Sequence, residues 1–347
     1  MNVRMARRRR RWFRPFALAV LAVASLVGAA PGMASSQSSS SLAESLARNR
    51  PDLRALVVAR GACVVFEYYR EGIGPQTRSP VYSVAKSVLS ILVGIAIDQG
   101  LISLDEPLAA LAPEVFDPPT DPIARDITIR DLLAMTAGLE AAPTSPPATS
   151  LRAMLQRPLT SAPGDRFAYN GMAADLLSVA LSRAIRQDAR SFARSRLFEP
   201  LGIRNYAWTL EAEGRLSGES NLFLTARDMA KIGLLYLQGG RWGDRRIVSE
   251  AFAEQSTSRR SAGGPPLGAA YGYLWWVGKT RAGLDAFFAA GSGGQLIYVV
   301  PALDLVVAVA AQAGDDYNLG LVSDVALPLA TGAPASTPCA ARLGPSR

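Results

Sequence analysis

Apolar and polar positions along this chain of 347 residues change period several times. Residues 56–59 (Leu-Val-Val-Ala) and 64–69 (Val-Val-Phe-Glu-Tyr-Tyr) are β-branched and aromatic runs on either side of Arg60-Gly61-Ala62, which predicts a β-hairpin. From Ser83 to Gln99, Val84, Val88, Leu89, Ile91, Leu92, Ile95 and Ala96 recur at helical spacing over most faces until Gly100 stops the run, so a buried central helix is expected. Helical segments are expected at 101–111, 129–135, 151–155, 172–185, 192–197 and 226–238, with a proline-rich loop at 143–150 and a glycine- and proline-rich, mobile loop at 256–270. Strand-like runs return at 271–277, 285–290, 296–300 and 305–310 before a last helix around 318–327. Strands, then helices, then strands and a terminal helix describe an α/β (α+β) fold: an antiparallel sheet flanked by helices, with a helical lobe at about 83–220 inserted in the sheet lobe.

The first 34 residues read differently. Arg4, Arg7 to Arg11 and Arg14 precede an apolar run at 16–30 and a small-x-small site at Gly32-Met33-Ala34, the pattern of a cleaved export signal. An uncleaved membrane anchor is the competing reading. A serine-rich lead-in (35–50), a hydrolase-sized domain (51–330) and a tail (331–347) complete the expected organisation, and a periplasmic or secreted location follows. The formal charge of +8 belongs mostly to the signal: taking its seven arginines from 37 basic residues leaves 30 against 29 acidic ones. A nearly neutral mature chain has no electrostatic footprint for nucleic acid. Cys63 and Cys339 are the only cysteines; a bridge between them and two separate thiols are both compatible with that count.

The chain contains no histidine. Ser-His-Asp triads, Cys-His dyads and histidine-ligated zinc are therefore excluded, and a hydrolase built from this sequence needs a lysine, tyrosine, terminal amine or carboxylate base. Only three lysines occur, Lys86, Lys231 and Lys279, against 34 arginines. A lysine kept in so arginine-rich a chain invites a chemical reason. Lys86 alone has a serine three residues before it, Ser83, on the first turn of the buried helix, where positions three apart share a face and the helix N-terminus favours developing negative charge. An amine desolvated there can receive the serine proton. Alone, a serine and lysine so spaced are a weak signal. Two further elements accompany them. Residues 163–170 place a turn, then Phe167, Tyr169 and Asn170, just before a helix, and the Tyr169 phenol would complete a Ser-Lys-Tyr proton network. Ala290-Gly291-Ser292-Gly293-Gly294-Gln295 lies between two strand runs, where a main-chain N–H beside that of Ser83 would form an oxyanion hole.

With these elements in this order, the chain resembles the serine β-lactamase and penicillin-binding superfamily, specifically the class C β-lactamase-like group with its D-alanyl-D-alanine carboxypeptidases, family VIII carboxylesterases and 6-aminohexanoate-dimer hydrolases. Gly100-Leu101-Ile102-Ser103-Leu104-Asp105-Glu106-Pro107, Ile127-Thr128-Ile129-Arg130-Asp131-Leu132-Leu133, Pro200-Leu201-Gly202-Ile203 and Leu224-Thr225-Ala226-Arg227-Asp228-Met229-Ala230 extend it over residues 56–329. The resemblance implies that Ser83 is acylated while Lys86 and Tyr169 exchange protons, with Gly291 and Ser292 at the oxyanion and substrate side, and no metal or organic cofactor. Two departures matter. Family members carry asparagine or serine two places after the tyrosine, where this chain has Gly171, leaving Asn170 as the candidate for that polar contact. The third motif of β-lactamases and peptidases carries a lysine or histidine, where this chain has Ala289-Ala290-Gly291 or, in another register, Ser292-Gly293-Gly294. That cation pairs with a substrate carboxylate, so its loss favours esters or amides that lack one.

The expectation is an exported serine hydrolase, an esterase or amidase acting on a small ester, amide or peptide. A penicillin-binding protein that senses with little turnover is the alternative from another class.

Overall fold

The computed structural model describes residues 41–46, 48–116, 121–141, 155–210, 216–312, 317–332 and 339–345. The expected export signal, the lead-in up to residue 40, the loop at 143–150 and all but the last residue of the helix at 151–155 lie outside the described residues.

The strands are β1 (Leu53–Arg60), β2 (Cys63–Tyr69), β3 (Arg78–Pro80), β4 (Ala207–Trp208), β5 (Leu222–Thr225), β6 (Arg241–Trp242), β7 (Arg245–Arg246), β8 (Ser261–Gly264), β9 (Ala269–Tyr271), β10 (Trp276–Lys279), β11 (Asp285–Gly291), β12 (Gln295–Val300), β13 (Leu305–Ala311) and β14 (Ala341–Arg342). Nine of them form one antiparallel sheet in the order β14-β2-β1-β13-β12-β11-β10-β9-β8. The chain leaves this sheet after β2, runs through the helices and the small sheet β3-β5-β4, and returns at β8. β13 slots between β12 and β1, pairing Val307 with Val58 and with Tyr298, so the last long strand closes the sheet around the first. β1 and β13 are buried almost throughout, as strands covered on both faces must be.

The main helices are α1 (Val84–Asp98), α2 (Ile129–Ala134), α3 (Gly171–Ile185), α4 (Ala226–Leu237) and α5 (Glu250–Thr257). α4 lies on the sheet at Gly233, where a Cβ would stand 2.7 Å from Val306 and 2.9 Å from Ile297, so only glycine permits this approach. Tyr298, pointing the other way by strand alternation, shares a cavity with Phe288, Leu319, Val322 and Leu327, which places the helical segment at 319–332 on the opposite face. Buried α1 packs against α5, with the Phe252 ring against Gly94. Its interior serines find partners: Ser87 Oγ donates to Leu274 O at 2.6 Å and Ser90 Oγ to Tyr273 O at 2.7 Å.

The sheet flanked by helices agrees with the expectation, and four local expectations do not. The run at 271–277 is two strands, β9 and β10, because Leu274 adopts a left-handed φ of 58° and the Gly272 N–H donates to Trp275 O. The expected mobile loop at 256–270 contains the end of α5 and the edge strands β8 and β9, the sheet pairing supplying order that glycine and proline content conceals. The helix at 101–111 shrinks to Leu108–Leu111, since the Glu106 side chain accepts from the Ser103 N–H and Pro107 bridges to Thr128 ahead of it. The helix at 192–197 starts earlier, at Ala189, where the Asp188 side chain accepts from the Ser191 N–H, and continues through a widened turn to Phe198. Cys63 on β2 and Cys339, just before β14, are joined by a disulfide that staples the C-terminal strand to the sheet edge.

Candidate active site

The approach to α1 is built on the small sheet. β3 pairs with β5, and the Val81 N–H donates to Leu222 O at 2.9 Å, fixing the chain just ahead of Ser83. Tyr82 then takes a left-handed φ of 46°, a conformation costing a bulky residue about 1–2 kcal/mol, and leaves its side chain 42% exposed. Ser83 begins the first turn without using its side chain as a cap. Its Oγ instead accepts from Lys86 Nζ at 2.9 Å.

Lys86 is 1% exposed, so every polar contact of its amine is an internal one. Nζ donates to Ser83 Oγ and, at 3.3 Å, to the main-chain oxygen of Glu219. It also stands 5.3 Å from the centroid of the Tyr169 ring. A buried lysine with two acceptors and an aromatic face beside it is a satisfied group rather than a misplaced surface charge.

Tyr169 is held from both sides along the chain. The Ala168 N–H donates to Met135 O at 2.8 Å, and Asn170 caps α3 by accepting from the N–H groups of Met172 and Ala173 at 2.8 and 3.2 Å. The Tyr169 ring stacks on Trp276 with centroids 5.5 Å apart and meets Tyr271 edge-on at 6.2 Å, while half-buried Phe167 packs on the same two rings. Burial, with Tyr169 adding to it, pushes the Tyr271 hydroxyl well above the ordinary tyrosine range.

The third element comes from the β11–β12 hairpin. Gly291 pairs with Gln295, and Gly293 and Gly294 turn the chain with φ of 73° and 85°. A Cβ on Gly291 would stand 2.3 Å from Val81 O and 3.2 Å from the Ser83 nitrogen, so strand and helix start meet backbone to backbone. Ser292 follows, exposed, and Ala289 and Ala290 are buried methyl groups where a cation was looked for.

The structure thus brings Ser83 and Lys86, Tyr169 and Gly291 together from three separate stretches of chain, with Ser292 next to Gly291. Asn170, expected as a substrate contact, has its side chain engaged in structural hydrogen bonds. The residue is fully buried, its oxygen caps α3 and its amide nitrogen donates to Glu140 O. Three participants escaped the sequence reading: the Glu219 carbonyl, whose role is main-chain and leaves no side-chain signal, and Tyr271 and Trp276, which looked like core residues of one strand. The Tyr-Gly-Tyr-Leu-Trp-Trp run at 271–276 was the available signal, too aromatic for an ordinary strand.

The comparisons bear on the family and the fold. The family model described as Beta-lactamase matches residues 29–320. The 6-aminohexanoate-dimer hydrolase of Paenarthrobacter ureafaciens is 26% identical over 310 residues, covering 76% of each chain. Among solved structures, the octameric penicillin-binding protein homologue from Pyrococcus abyssi superposes with a TM-score of 0.69 at 19% identity, covering 86% of this chain and 77% of that one. EstCE1, a hydrolase with promiscuous acyltransferase activity, superposes with a TM-score of 0.70 at 17% identity, covering 85% and 99%. A serine and lysine on the first turn of a buried helix, a tyrosine beside them and a glycine strand facing the serine sit on a fold shared with these proteins, and the chain belongs to the beta-lactamase family of hydrolases.

Proposed function

We propose that this chain is an exported serine hydrolase that works through an acyl-serine, an esterase or amidase for substrates without a carboxylate beside the reacting carbonyl. The observation that carries the reading is the 2.9 Å contact from Lys86 Nζ to Ser83 Oγ in a buried first turn. Lys86 takes the Ser83 proton as Oγ attacks the substrate carbonyl carbon, and the main-chain N–H groups of Ser83 and Ser292 hold the oxyanion. The C–O or C–N bond then breaks, and the leaving alcohol or amine carries away the proton held by Lys86, with the Tyr169 hydroxyl as the second group of the relay. Water repeats the sequence on the acyl-serine and releases the acid. Neither step uses a metal.

Ala289 and Ala290 support the substrate preference: methyl groups cannot pair with a carboxylate, and burying an unpaired one costs several kcal/mol, about the scale of a desolvated charge. The Cys63–Cys339 bridge supports export, since such bonds persist in oxidising compartments. The same alanines, with Gly171 in place of a polar side chain, favour the second reading, a penicillin-binding protein that acylates with little turnover. Purified protein assayed on nitrocefin, a D-Ala-D-Ala peptide, short p-nitrophenyl esters and linear amide oligomers separates them. Turnover of esters or amides, lost in Ser83→Ala, is expected; acylation by a β-lactam with no turnover of any substrate would establish the second reading.

A further inference from the structure

Glu219 lies on a segment, residues 216–220, that has no regular structure of its own, yet its carbonyl is one of the two acceptors of the Lys86 amine. What holds that segment is α3, the helix whose N-terminal cap follows Tyr169 directly. Asp175 Oδ1 accepts from the Gly218 N–H at 2.8 Å, and Ser178 Oγ donates to Leu216 O at 2.6 Å. Behind them, Trp208 Nε1 donates to Ser217 O at 3.1 Å. At Gly218 a Cβ would lie 2.1 Å from Ala174 O, so segment and helix touch main chain to main chain. Asp175 itself is 6% exposed, with Met172, Leu176, Ser178 and Val179 as buried neighbours on the helix. Packing alone would be served by an apolar residue there, and a buried carboxylate is tolerated only where it has polar work to do.

We propose that Asp175 is a positioning residue for Lys86: by fixing the Gly218 N–H it sets where the Glu219 carbonyl stands, and hence how the amine is aimed at Ser83 Oγ. One rigid helix then places two members of the relay, Tyr169 at its start and, through this segment, Lys86. The assignment rests on the serine-hydrolase reading for its kinetic consequence, but its geometric content stands apart from activity. Misaiming a proton-transfer group by about 1 Å can cost on the order of 10²-fold in rate, so a tie two residues removed from the amine is a sensitive place.

The test exploits the three lysines. Protein labelled with ¹³C at lysine Cε gives three signals, assigned through Lys231→Arg and Lys279→Arg, and the Lys86 signal reports its surroundings whether or not the enzyme turns over. In Asp175→Ala the Lys86 signal should move, and kcat/KM on a short p-nitrophenyl ester should fall about tenfold or more with KM changed less than about twofold. Asp175→Asn keeps an acceptor oxygen for the Gly218 N–H and should leave both readings near wild type. Ser178→Ala, which cuts the neighbouring tie and keeps the carboxylate, should move the signal less, and it decides together with Asp175→Asn if the alanine variant does not fold. A Lys86 signal unmoved in Asp175→Ala, or moved equally by asparagine, or unmoved in Ser178→Ala when that variant has to decide, overturns the proposal. Loss of the serine-hydrolase reading would show separately, as activity that survives Ser83→Ala while the signals behave as described.

Discussion

Gly291 faces the main-chain nitrogen of Ser83 so closely that a Cβ built on it would lie 3.2 Å from that nitrogen and 2.3 Å from Val81 O. The contact is backbone against backbone and cannot be relieved by rotating a side chain. Gly291→Ala must therefore push β11 away from the start of α1, separating the two N–H groups proposed to hold the oxyanion. A loss of about 10²-fold in kcat on p-nitrophenyl acetate is expected, the scale of one oxyanion donor. Wild-type kcat in a folded Gly291→Ala protein would place the oxyanion hole elsewhere.

Asn170 is committed to capping α3. Replacing it with alanine should cost about 0.5–2 kcal/mol in chemical denaturation, whereas Asn170→Ser, which keeps a cap acceptor, should recover most of that. KM should be the same in Asn170→Ser and wild type. A KM raised tenfold at unchanged stability would make the residue a substrate contact after all.

Burial holds the Tyr271 hydroxyl well above its ordinary range. The sign follows: with the folded-state value raised above the unfolded one, the contribution to stability is fully present below about pH 10, where unfolded tyrosine titrates, and is lost as pH rises beyond it. Thermal midpoints measured from pH 8 to 11.5 should fall at the alkaline end, and less steeply in Tyr271→Phe. Identical slopes for the two proteins would contradict this.

The Cys63–Cys339 bridge ties β14 to β2, at the sheet edge opposite the strands next to the serine. Cys339→Ser should lower unfolding stability by about 2–4 kcal/mol and leave kcat unchanged. Equal stability with and without reductant would mean that the bridge does not form in the purified protein.

Much of this was legible before any coordinates. The period of apolar residues at 83–99 marks a helix buried on most faces because such a helix has no polar stripe, and the absence of histidine reduces the available bases to a few, among which Ser83 and Lys86 stand out by spacing. The apolar runs at 285–290, 296–300 and 305–310 give β11 to β13 nearly to the residue, since strands covered on both faces are continuous apolar runs. What stayed hidden was whatever depends on main chain or on tertiary contact. Leu274 breaks a run that reads as one strand by adopting φ of 58°, a choice enforced by carbonyl contacts to Ser87 and Ser90 nearly 190 residues away in sequence. The Glu219 carbonyl has no side-chain signature at all. Asn170 looked like a substrate group because its type and place fit one, and only the two N–H groups beneath it show that the oxygen is already used.

The central claim is that Ser83 becomes covalently acylated, and the most direct measurement is mass mapping of the protein after treatment with a fluorophosphonate. Adduct on the tryptic peptide containing Ser83, absent from Ser83→Ala and sharply slowed in Lys86→Ala, is the predicted result. Stoichiometric labelling at another residue, or labelling of Ser83 at the wild-type rate without Lys86, would contradict it.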